Sequence, residues 1–158
     1  MNGQQCPPDE NIVRAVRSSH WDSKKNRWSS DLFRGPDTSV SRLARLPLPE
    51  IFRIFFADLH KPPRHRVVKA GEINIGNLQA LGRAHRQNGT VRQIAITVVP
   101  DPILHDKECV DNPAHALVKE QLPKTLVLNI IDNLKFHDAP NFWRRLSWYI
   151  KRLFFRIQ

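Results

Sequence analysis

Cysteine is nearly missing. With only Cys6 and Cys109 in 158 residues, the chain has no disulfide framework and no four-cysteine metal site, and a reducing cytosol is its simplest home. Glycine is scarce too, at six residues, and Gly71 and Gly76 are too few and too far apart to cradle a phosphate. No apolar run approaches the roughly 18 residues of a membrane-crossing helix. Met1 to Asn11 are polar and acidic with Pro7 and Pro8 among them, so they lack the basic start and apolar stretch of a secretory leader. Internal repeats and low-complexity tracts are missing, which excludes solenoid and linker architectures. No serine or cysteine stands in a nucleophile elbow, and no spacing of histidines, cysteines and carboxylates matches a known ligand set. The expectation is a chain without metal or cofactor. Acid is the minority charge: 15 Asp and Glu against 25 Lys and Arg leave a net +10, which draws anionic partners without dictating a fold.

What is present points to one α+β domain. A hydrophobic content of 41% over this length fits one real core. We read residues 1–10 as a mobile lead-in, 11–139 as the domain and 140–158 as a separate amphipathic helix. Ile94 to Val99 are uncharged on both sides of an extended segment, which predicts a central strand covered on both faces and stopped by Pro100 and Pro102. Asn112 to Val118 predict a second core strand with Pro113 at its start. Gly35-Pro36-Asp37 marks a turn before an alternating strand at Thr38 to Leu43. Val67, Val68, Ile73 and Ile75 predict one strand, or two short ones broken at Gly71. Apolar spacings of three and four predict helices near 49–59, 76–87, 123–137 and 141–157. Trp21, Trp28 and Phe33 are expected to pin a loop-rich section to the core. The expected architecture is a small mixed sheet centred on Ile94 to Val99 and covered by helices.

Two regions bear on chemistry. The loop after the expected central strand gathers Asp101, His105, Asp106, Glu108, Cys109 and Asp111; prolines at 100, 102 and 113 argue against a helix that would align them, and a solvated acidic loop is the expectation over a metal site. His115 lies in the second core strand, near the end of the neighbouring strand where Asp101 lies. A buried, neutral, hydrogen-bonded histidine is the first reading; a catalytic pair with Asp101, aided by Arg14 holding phosphate, is the second.

Five segments in this order, Ile12-Val-Arg-Ala-Val16, Ser29-Ser-Asp-Leu-Phe33 with Ser39-Val-Ser41, Gly71-Glu-Ile-Asn-Ile75, Val98-Val-Pro-Asp-Pro102 and Asn112-Pro-Ala-His-Ala116, resemble small bacterial proteins that share a VVxDP…NPAHA pattern and have no assigned activity. The resemblance covers about residues 12–118. It implies a domain boundary and a bacterial setting, and gives no residue a role. The basic stretch Lys61 to Arg66 and the final segment depart from that pattern.

The final segment has the most distinctive composition. Phe142, Trp143, Trp148, Tyr149, Phe154 and Phe155 are six of the chain's 13 aromatics, and Arg144, Arg145, Lys151, Arg152 and Arg156 add +5 with no acid. At 100° per residue these bases gather opposite an apolar face, which predicts a basic amphipathic helix. The expectation is that it docks on a partner protein, a second copy, nucleic acid or a membrane surface, the alternative being a core helix packed on the sheet. Charge is uneven elsewhere: residues 12–45 carry a net +5, 61–69 carry +4 and 101–141 carry −3. The functional expectation is a cytoplasmic, non-enzymatic basic module contacting nucleic acid through Arg14, Arg17, Lys24, Lys25, Arg27, Arg64, Arg66 and Lys69. The alternatives are a small enzyme acting on a nucleotide or nucleic acid with His115 and Asp101, and a peripheral membrane or partner-docking protein acting through residues 141–158.

Overall fold

The computed structural model describes residues 4–140. The strands are β1 (Asn11–Arg17), β2 (Trp21–Asp22), β3 (Arg27–Trp28), β4 (Thr38–Arg42), β5 (Val67–Asn74), β6 (Arg86–Gln87), β7 (Thr90–Val91), β8 (Val98–Pro100), β9 (His115–Val118) and β10 (Lys135–Asp138). The helices are α1 (Leu48–Asp58), α2 (Ile75–Arg83) and α3 (Lys124–Asp132), with short 3-10 turns at Ser18–His20 and Ser30–Phe33. Six strands form the main sheet in the order β10-β5-β1-β4-β9-β8, while β2-β3 and β6-β7 are small hairpins. The class is α+β as expected, but every pairing in the main sheet is antiparallel rather than mixed.

The middle of the sheet is β1. Its residues alternate between two separate cores: Ile12 and Val16 belong to one, Val13 and Ala15 to the other. Such a strand reads as a continuous apolar run because both faces are covered. On one face Leu78 of α2 and Leu126, Val127, Ile130 and Ile131 of α3 pack on Ile12, Val16, Val40, Ile73, Val98 and Val118. On the other face α1 brings Ile51, Phe52, Phe55 and Phe56 against Val13, Ala15, Val67 and Ala70. Each buried Val, Leu, Ile or Phe among them contributes about 1.5–3 kcal/mol, and each Ala less. Pro47 caps α1, with another proline in its first turn, where the missing N–H has no helical partner to lose.

The expected centre at Ile94 to Val99 is displaced. Only Val98–Pro100 form a strand, at the sheet edge, because Ile94 is drawn off to α2, its N–H donating to the Gly82 carbonyl at 2.9 Å. β5 runs unbroken through Gly71, whose missing side chain leaves room for Leu134; a Cβ there would lie 2.8 Å from Leu134 Cδ1. α2 ends at Arg83 and residues 86–91 form the small hairpin, so the helix expected near 76–87 is shorter. α3 stops at Asp132, and the residues expected to extend it become β10, paired to the otherwise free side of β5.

Residues 4–10, read from sequence as a lead-in, are held to the sheet. Cys6 is buried and its N–H donates to Val98 O at 2.7 Å, while Pro8 O and Glu10 O accept from Gly76 and Ile75 at 2.7 and 2.9 Å. The expected amphipathic helix at 141–157, with the docking residues Phe142, Trp143, Arg144, Arg145, Trp148, Lys151, Arg152, Phe154 and Phe155, lies outside the described residues. Among the described residues no helix is long and apolar enough to cross a membrane.

Candidate nucleic-acid interface

β1 carries its chain toward one end of the sheet, and there the bases collect. The register slips between Val16 and Arg17 where β1 pairs with β5, a bulge of the kind that bends a strand and re-aims its side chains. Arg17 opens into the turn Ser18–His20, which leads into the β2-β3 hairpin carrying Lys24, Lys25 and Arg27. The loop holding Arg64 and Arg66 is fastened to the same turn. Ser18 N–H donates to Arg66 O at 2.7 Å, Ser18 Oγ accepts from Arg66 N–H at 3.2 Å and donates to Arg64 O at 3.1 Å, and the His65 ring meets Ser19 Oγ at 3.2 Å. Two stretches far apart in sequence thus meet at the Ser18–Ser19 turn.

Arg14 lies beneath it, half-buried in the sheet. Its Nε donates to Leu32 O at 3.0 Å and its Nη1 donates to Ser39 O. Burial, reinforced by the charge of Arg17, lowers its pKa to about 10. His20 is buried beside them, and its Nδ1 accepts the Arg17 backbone N–H at 3.1 Å, which puts the ring proton on Nε2. Burial first, then Arg17 and Arg14, lowers the His20 pKa to about 4, so the ring is neutral at physiological pH.

The eight expected bases divide by partner. Lys25 pairs with Asp22 at 3.4 Å and Lys69 pairs with Asp138 across β5 and β10. Arg14, Arg17, Lys24, Arg27, Arg64 and Arg66 form no ion pair among the described residues. Arg64, Arg66, Lys24 and Arg27 are exposed, so they are poised to meet an external anion in water, where screening by salt is strong. His20 and His65 belong to this cluster and escaped the sequence reading, because nothing in their neighbours' residue types signals that the two stretches meet.

His115 and Asp101 are also adjacent, at the other end of the sheet. The His115 Nδ1 lies 2.6 Å from the Asp101 backbone oxygen and 3.2 Å from its Oδ2. A proton held on Nδ1 by these oxygens leaves Nε2 as the basic nitrogen. The register continues from His115 to Ser41 and from Ser41 to Val13. Val13 is four residues before Arg17, about 13 Å along the strand at roughly 3.3 Å per residue. Arg14 follows Val13 directly and therefore points to the opposite face of the sheet. Arg14 and His115 do not converge. The acidic loop between Asp101 and Asn112 is built on itself: Asp106 Oδ1 accepts the N–H groups of Glu108 and Cys109 at 2.7 and 3.1 Å, and Asp111 Oδ1 accepts that of His105 at 2.7 Å. Val110 N–H ties the loop to Asp58 on α1 at 3.1 Å, and burial, above all, raises the Asp58 pKa. No group of three or more His, Cys, Asp or Glu able to hold a metal ion occurs among the described residues.

Compared with protein-family models, curated proteins and solved structures, the chain gives no match.

Proposed function

We propose that this protein is a non-enzymatic module that binds nucleic acid through the basic end of its sheet. The observation that carries the reading is that the Ser18–Ser19 turn after Arg17 is bonded to the loop of Arg64 and Arg66, and that Arg17, Lys24, Arg27, Arg64 and Arg66 form no ion pair among the described residues. Arginine suits this task because its planar fork matches a phosphate with two parallel hydrogen bonds. Arg14 underneath adds positive potential, and neutral His20 adds no charge of either sign. If five phosphates are neutralised, log K falls against log salt with a slope of about −3.5 for single strands and about −4.5 for B-DNA. Fluorescence anisotropy with labelled oligonucleotides across a salt series measures this slope. Binding that ignores ionic strength, or that survives replacement of Arg17, Arg64 and Arg66 together by Gln, removes the proposal.

A second reading, a small enzyme acting on a nucleotide, draws on the His115 to Asp101 geometry, which orients the ring for general-base work. The placement of Arg14 on the opposite face removes the phosphate clamp this reading invoked. Nucleotide hydrolysis by the full chain that His115→Ala abolishes would favour it over the binding module.

A further inference from the structure

The β2-β3 hairpin does more than display lysines. Trp21 is 42% exposed, contrary to the expectation that it would anchor in the core, yet it is not loosely held. It meets Trp28 edge to face, with ring centroids 4.8 Å apart and an interplanar angle of 76°, and Trp28 packs in turn on Phe136 at 5.8 Å. These three rings line a cleft of about 400 Å³ between the hairpin and α3, with Arg27 and Asp132 among its other walls. The volume falls in the roughly 300–1,000 Å³ range of small-ligand sites. A partly exposed indole beside Arg27, which forms no ion pair among the described residues, is the arrangement that sequence-tolerant readers of single strands use, since every base has a face to stack.

We propose that this cleft receives one unpaired base of a single-stranded nucleic acid. The base stacks on Trp21, its phosphate is held by Arg27 and Lys24, and the Asp132 carboxylate accepts a hydrogen from an amino or imino group on the base edge. The proposal rests on the nucleic-acid reading above and adds the strand state and the contact that reads it. A duplex keeps its bases stacked on one another and does not fill the cleft.

The test uses the full chain and ten-nucleotide RNA and DNA strands, their abasic counterparts of equal charge, and the matching duplexes. Trp21→Ala is expected to weaken binding of base-bearing strands by roughly tenfold while leaving abasic strands and duplexes unaffected, and Trp21→Phe is expected to recover most of the loss. RNA and DNA arms giving the same dependence on Trp21 assign the contact to the base face; an effect confined to RNA assigns it to the ribose-bearing strand and still supports the cleft. Photocrosslinking from a 5-iodouracil strand to wild-type protein, with peptide mapping, is independent of folding defects and is expected to mark Trp21, Trp28 or Phe136. Base-bearing and abasic strands equally affected by Trp21→Ala, or crosslinks only outside the cleft, overturn this proposal and leave the parent reading standing. Anionic vesicles whose binding depends on Trp21, with no difference between base-bearing and abasic strands, assign the cleft to a membrane surface and overturn it as well. Failure of the wild type to bind any strand removes both.

Discussion

Arg42 donates from Nε and Nη2 to the two carboxylate oxygens of Glu10, at 2.8 and 2.6 Å, and neither side chain is more than 13% exposed. The pair joins the N-terminal segment to β4. Removing one member strands the other in a poorly solvated place, so Arg42→Ala is expected to cost about 3–5 kcal/mol. Glu10→Leu combined with Arg42→Met is expected to cost far less, since no orphan charge remains. Urea midpoints of the three proteins check both statements. The Arg42 hydrogen bond also holds the Glu10 carboxyl below its ordinary value of 4.5. Its contribution is therefore full above that pH and is lost as pH falls through the folded-state value. An acid limb identical in wild type and double variant would contradict this.

His20 should produce a second, separate pH dependence. Its pKa falls from an ordinary 6.5 to about 4 on folding, chiefly through burial. Between those values the unfolded chain takes up a proton that the folded chain refuses, so stability declines as pH falls from 6.5 to about 4 and levels off below. The total is on the order of 3 kcal/mol. His20→Asn keeps an acceptor for the Arg17 N–H and cannot titrate; its stability curve is expected to be flatter over that window. Chemical denaturation at closely spaced pH values makes the comparison, and parallel curves would refute it.

Arg14 separates stability from binding. Its guanidinium lies half-buried with two backbone oxygens and no carboxylate among the described residues. Replacing a half-buried charge that has no ion pair by an apolar side chain of similar length is often neutral or stabilising. Arg14→Met is expected to change stability by less than about 1 kcal/mol while lowering oligonucleotide affinity. Differential scanning calorimetry with anisotropy on the same samples decides it. A large loss of stability would recast Arg14 as a clamp on Leu32 and Ser39.

Gly82→Ala tests why the apolar run at Ile94 to Val99 is not a central strand. A Cβ on Gly82 would lie 2.4 Å from the Ile94 backbone oxygen and 3.0 Å from Ile96 Cδ1. Alanine favours a helix over glycine by about 1 kcal/mol, whereas overpacking of this kind costs about 1–3 kcal/mol and here strikes backbone. Net destabilisation is expected, read as a lower thermal midpoint. A stabilised variant would mean that the 94–96 segment does not depend on its close approach to α2.

These elements show where sequence reading succeeds and where it stops. α1 was legible because Ile51, Phe52, Phe55 and Phe56 repeat at helical spacing behind Pro49, and all four are buried. β1 does not stand out in the sequence because Arg14 interrupts its apolar run, and only tertiary structure supplies the Leu32 and Ser39 oxygens that accommodate it. β10 was hidden because Leu134 and Phe136 fit helical spacing from Ile130 as well as they fit a strand; the open side of β5 decides between them. At the candidate interface the bases could be named one by one. Their division into ion-paired Lys25 and Lys69 and the others without ion pairs depends on where Asp22 and Asp138 fall, and this required coordinates.

The order of strands also carries a consequence for synthesis. In chain order the centre of the sheet comes first, as β1, β4 and β5; the edge strand β8 follows and has no place until β9 fills the gap between it and β4, and β10 closes the other side. By the time Asn74 leaves the ribosome, the three central strands and α1 exist, and the face containing Phe52 and Phe56 has its cover. The opposite face, with Ile12 and Val16, waits for α2 and then α3, and the outer side of β5 waits for Lys135–Asp138. At about 5–20 residues per second, that wait lasts roughly 3–13 s. During it, the nascent chain presents one covered side and one raw side, together with two open strand edges, and the outer edge of β5 stays open until Lys135–Asp138 emerge.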